Sequence, residues 1–112
     1  MSVEQSDVVD IVSLDERTGH VVLSISDHLD WSDARVHEAV LQRKLNTYLA
    51  FVESGEILKS YPKSKDRPVT FSIVFKFRPS PEGQAFLDKV KKIIESAGFG
   101  FRYELFAESY DN

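Results

Sequence analysis

The chain has no cysteine, a single tryptophan and a single methionine, and no apolar run approaching the ~18 residues that a bilayer helix needs. Without cysteine there are no disulfides, no thiolate catalysis and no zinc site with sulfur ligands, which leaves His and carboxylates as the remaining metal ligands. Five glycines and four prolines are too few for a collagenous or low-complexity chain. None of the glycines belongs to a G-x-x-x-x-G-K phosphate loop, and no H-E-x-x-H pair is present. The first seven residues contain neither a basic nor an apolar stretch, so no signal peptide is expected and a cytoplasmic address follows. The net charge of −4 argues against nucleic acid and anionic membranes as main partners, since both rely on clustered Lys and Arg.

What is there is enough for one domain: 112 residues, 42% of them apolar, with eight Phe and four Tyr. Folding at this length buries roughly two-thirds of the surface of the extended chain, so a core needs no covalent staple. Charge is unevenly spread. Residues 1–58 hold eleven acids and four bases, whereas residues 59–112 hold seven acids and ten bases. Opposed halves of this kind attract one another within or between subunits, although solvated faces produce the same statistics.

Along the chain, residues 8–14 and 20–26 read as strands joined by a turn that closes at Gly19. In the second, Val21, Leu23 and Ile25 share one face and Val22, Ser24 and Ser26 the other. Ser32 is expected to cap a long helix, with Trp31 and Val36 forming a hydrophobic staple. Val36, Val40, Leu41, Leu45, Tyr48, Leu49 and Val52 recur at helical spacing up to Gly55. Residues 56–61 have the character of a short edge strand. A strand follows in which Val69, Phe71, Ile73, Phe75 and Phe77 alternate with Thr70, Ser72, Val74 and Lys76. Ser80 and Pro81 open a second helix carrying Phe86, Leu87, Val90, Ile93, Ile94 and Ala97 inward as far as Gly98. Phe99, Phe101, Tyr103 and Leu105 form the last strand, and residues 1–6 and 107–112 are expected to fray.

The fold class is therefore α+β: a two-layer sandwich of a four- or five-stranded, mainly antiparallel sheet with two helices on one face, in the order β-β-α-(β)-β-α-β. Residues 20–106 match the ferredoxin-like order with an extra strand in front. The ferredoxin-like form carries a conflict, because its first strand has both edges taken while here it also needs its hairpin partner.

The strongest chemical constellation is Asp27, His28, Asp30 and Trp31, with His37 one or two helical turns further on. A strand-to-helix loop of this composition gathers carboxylates and imidazoles for a ligand, a metal or proton transfer. The same residues also serve as caps and dipole partners, with Trp31 as a staple and both His on the surface. No metal and no cofactor is assigned. Residues 59–67, with four bases and one acid, form a second candidate, a grip for phosphate or an acidic partner. Stacking on nucleic acid needs aromatics on the open sheet face, yet Phe71, Phe75, Phe77, Phe101 and Tyr103 share the side of the aliphatics that meet the helices.

Three stretches carry a family resemblance: Val21-Val22-Leu23-Ser24-Ile25-Ser26-Asp27-His28-Leu29-Asp30-Trp31, then Lys44-Leu45-Asn46-Thr47-Tyr48-Leu49-Ala50-Phe51-Val52-Glu53-Ser54-Gly55-Glu56-Ile57, and Ile94-Glu95-Ser96-Ala97-Gly98-Phe99. With the opening Met1-Ser2-Val3-Glu4-Gln5 they make the chain similar to a group of short bacterial proteins known only as a domain of unknown function. The resemblance implies a bacterial cytoplasmic protein and supplies no activity or site residue. The leading expectation is a non-enzymatic protein-interaction or regulatory module that takes a protein partner or self-associates through a sheet edge or the polar sheet face. The alternative is a small enzyme or metal- or ligand-binding protein using the 27–31 loop.

Overall fold

The computed structural model describes residues 3–6 and 8–106, so the tail expected to fray at 107–112 lies outside the described residues. A hairpin of β1 (Ile11–Asp15) and β2 (His20–Asp27) leads into α1 (Ala34–Glu53), then a short α2 (Glu56–Ser60) and a 3-10 turn (Pro62–Ser64). β3 (Val69–Phe75), α3 (Pro81–Ser96) and β4 (Gly100–Leu105) complete the chain. Gly19 closes the hairpin at φ +76°, and its N–H donates to the Asp15 carbonyl at 2.7 Å.

Among the described residues the sheet has four strands in the order β1-β2-β3-β4. Only β1 and β2 are antiparallel, while β2 with β3 and β3 with β4 run parallel. The sheet is thus mixed, not mainly antiparallel, and the ferredoxin-like order does not apply. A helix follows each of β2 and β3 and carries the chain back to start the next strand in the same direction, as βαβ units require. The conflict over the first strand disappears, because β2 keeps its hairpin partner on one side and takes β3 on the other.

Alternation decides what is buried. Val21, Leu23 and Ile25 of β2, Phe71, Ile73 and Phe75 of β3, and Phe101 of β4 form one core cluster with Leu41, Leu45 and Tyr48 of α1 and Leu87 and Ile94 of α3. Several expected core members stay outside it. Phe77 lies beyond the end of β3 and is exposed, as are Val36 and Ile93. Residues 56–61 are not a strand: Gly55 at φ +83° turns the chain, and a single helical turn buries Ile57 while Leu58 faces out. Among the described residues no helix is long and apolar enough to cross a membrane.

Of residues 1–6, for which fraying is expected, 1 and 2 lie outside the described residues, and residues 3–6 are tied to α1. Val3 is fully buried, and the fully buried ammonium of Lys44 on α1 donates to the carbonyls of Gln5 at 2.6 Å and Val8 at 2.5 Å. Its third partner is the Asp10 carboxylate at 2.9 Å. Thr47 donates its hydroxyl to the Ser6 carbonyl. A buried ammonium costs several kcal/mol unless paired, and three oxygens satisfy this one. Next to it the Tyr48 hydroxyl donates to the Ser24 carbonyl at 2.7 Å and accepts from the Asp10 N–H at 3.1 Å. Burial pushes the Tyr48 phenol up to about 12.

Candidate functional site

β2 ends at Asp27, and the next helix starts only at Ala34, so residues 28–33 form the connection expected to hold chemistry. The helix is capped by Asp33, not by Ser32: the Asp33 carboxylate accepts from the Val36 N–H at 3.3 Å. Ser32 instead donates its hydroxyl to Asp30 at 2.7 Å and its N–H to the same oxygen at 3.1 Å. These bonds from Ser32, the hydroxyl first, hold the exposed Asp30 carboxyl below the usual carboxylate range.

His37 sits in the first turn of α1 and points inward. Its Nε2 lies 2.5 Å from Asp27 Oδ2, and its Nδ1 lies 2.9 Å from the Asp30 carbonyl. A carbonyl only accepts, so Nδ1 carries a hydrogen, and the Nε2 contact is a hydrogen bond only with a second proton held between His37 and Asp27. The remaining carboxylate oxygen accepts the Leu29 N–H at 3.0 Å. Both side chains are sealed from solvent, at 1% and 0% exposure. Every polar atom of this pair is engaged within the protein.

Trp31 lies over the imidazole with ring centroids 3.8 Å apart, and Phe75 meets the indole at 5.8 Å. Val36, the expected staple partner, stays largely exposed, while the indole packs against His37 and α3. There a β-carbon on Gly83 would come within 2.6 Å of the ring. Gly83 stands in the first turn of α3. It marks the place where α3 admits Trp31.

Asp27, Trp31 and His37 are thus brought together with the Asp30 carbonyl, while the Asp30 carboxylate turns to Ser32 and the His28 ring lies apart from the pair. That half-exposed ring faces Glu4, with Nε2 3.3 Å from Oε1. Among the described residues no three His, Asp or Glu side chains converge as metal ligands. Beside the pair a cavity of 310 Å³ is bordered by His28, Asp30, Ser32, Asp33, Val36 and Phe77, among others. The basic stretch 59–67 is partly spent on structure: Arg67 donates to the carbonyls of Lys63 at 2.9 Å and Gly19 at 3.2 Å, tying the stretch to the hairpin turn.

Sequence reasoning named His37 but placed it on the surface, and it passed over Lys44. The signal was present: His37, Leu41, Lys44, Leu45 and Tyr48 fall on one helical stripe, and all are buried. An ionisable residue inside such a stripe announces a buried partner, here Asp27 for His37 and Asp10 for Lys44.

Fold and site together define a small α+β domain with a mixed four-stranded sheet, fastened at the end of β2 by a closed carboxylate–imidazole pair. The chain belongs to a family of unknown function, DUF6572, whose model matches residues 1–107. This agrees with the resemblance found in the sequence. No curated protein and no solved structure matches the chain.

Proposed function

We propose that the protein is a non-enzymatic interaction module that assembles with a copy of itself. The observation that carries this reading is the side of β4 that no strand pairs among the described residues, where Arg102, Tyr103 and Glu104 are exposed. An unpaired strand offers a row of backbone donors and acceptors to another chain. The Asp27–His37 pair supports the same reading, since an imidazole with both nitrogens occupied has none left to exchange a proton with a substrate. The reading takes the helices as one layer and the sheet as the other. A cytoplasmic setting in a bacterial cell, implied by the family resemblance, belongs to the same proposal. Native mass spectrometry of untagged protein tests it. A dimer at micromolar concentration is expected, and a monomeric mass throughout that range overturns it.

A second reading, a small enzyme or ligand-binding protein using the 27–31 loop, has the 310 Å³ cavity beside His28 and Asp30 in its favour. A small molecule retained in the same spectrum, and lost in folded His28→Ala and Asp30→Ala variants, would establish it. Lost stability with no lost ligand would mark both residues as structural.

A further inference from the structure

Edge strands are usually protected by charge, because a lone Lys or Glu on the rim repels or desolvates whatever tries to pair there. β4 is different in a specific way. Its outer-face charges are Arg102 and Glu104, two residues apart, and neither makes an ion pair among the described residues. β1, the opposite edge, carries only Asp15 and so has no charge pattern that selects a register.

We infer that β4 is built to pair antiparallel with β4 of a second copy, about a two-fold axis passing through Tyr103. This inference rests on the self-association proposed above and specifies its surface and register. The constraint comes from sheet geometry. Residues directly opposite one another in an antiparallel pair project to the same face, so a two-fold axis must pass through a residue and not between two. With the axis at Tyr103, Arg102 of each copy faces Glu104 of the other, giving two opposite-charge pairs on the outer face. On the inner face Phe101 meets Leu105, and the two Tyr103 rings meet each other. With the axis at Arg102, two arginines stand face to face, and at Glu104 two glutamates do. Like charges directly opposite destabilise a strand pair, so the neighbouring registers are penalised and the Tyr103 register is favoured.

The exposure pattern agrees. Tyr103 is 39% exposed although it shares its face with the buried Phe101, and Leu105 is only half-buried. A second copy would cover both and extend the sheet across the pair of subunits. The occupant is a second copy of this chain because β4 is complementary to itself: inverted about Tyr103, its own Arg102 and Glu104 supply the matching charges.

The test uses Arg102→Glu and Glu104→Arg in the full chain. Each places like charges opposite at both pairs, and the dimer should weaken roughly tenfold to a hundredfold in Kd. Both positions are exposed, so the circular dichroism spectrum should stay that of the folded chain, while the melting temperature should fall only by the share that dimerisation contributes and should lose its dependence on protein concentration. Mixed in equal amounts, the two variants complement each other at both pairs, and native mass spectrometry should show a heterodimer in preference to either homodimer. Two variants that dissociate but fail to pair on mixing would overturn the register. A wild-type dimer indifferent to both substitutions would overturn the β4 interface while leaving self-association intact. A monomeric wild type would overturn both.

Discussion

The indole of Trp31 lies so close to Gly83 that a β-carbon there would sit 2.6 Å from the ring. The ring has little freedom to retreat, because it is also stacked on His37 at 3.8 Å. Gly83→Ala improves the intrinsic helix propensity of α3 yet is expected to destabilise the protein by about 1–3 kcal/mol through overpacking. Urea unfolding measures it. A neutral or stabilising outcome would mean that the indole shifts freely.

Asp27→Ala should cost about 3–5 kcal/mol, since it leaves the sealed His37 ring facing an empty carboxylate site and removes the acceptor for the Leu29 N–H. Replacing both partners by apolar residues of similar volume should recover much of that loss. A stable Asp27→Ala protein would return the pair to the list of ligand-binding groups.

Lys44→Met removes the charge that draws together the carbonyls of Gln5 and Val8 and the carboxylate of Asp10. We expect a loss of about 3–5 kcal/mol, as for any buried ion pair broken from one side. Amide exchange in residues 8–10 should accelerate before that of β2 and β3. Uniform acceleration across the chain would show that the segment is not held separately.

Tyr48 makes alkaline stability testable. Its burial keeps the phenol protonated up to about 12 in the folded protein. An unfolded tyrosine loses its proton near pH 10, about two units earlier. The stabilisation is therefore complete below the unfolded value and is lost as the pH rises from about 10 toward about 12. Ultraviolet titration should show one tyrosine ionising late, together with loss of structure. Tyr48→Phe should abolish that late step and cost about 1–3 kcal/mol at neutral pH by stranding the Ser24 carbonyl and the Asp10 N–H.

Much of this architecture can be read from local pattern. The alternation of Val21, Leu23 and Ile25 and of Val69, Phe71, Ile73 and Phe75 identifies the two central strands, and Ser80 caps α3 with its hydroxyl accepting from the Gly83 N–H at 3.1 Å. The 27–31 loop also stands out by composition. The role of its residues does not, because a carboxylate that caps, one that binds a ligand and one that is buried against an imidazole are the same residue type in sequence. Ser32 and Asp33 both qualify as caps, and only the path of the chain after β2 selects Asp33.

By itself the sequence determined the elements that depend on short-range periodicity and turn chemistry: the hairpin closed at Gly19, the helices ending near Gly55 and Gly98, the two apolar strands, and the absence of thiol chemistry. Only the tertiary structure decided the strand order and the parallel pairings, for hydrophobic alternation says which face of a strand is buried and nothing about which strand lies beside it. It likewise decided that His37 and Lys44 lie inside. Their partners, Asp27 and Asp10, are ten or more residues away in the chain, and the energy of a buried charge depends on what surrounds it in space.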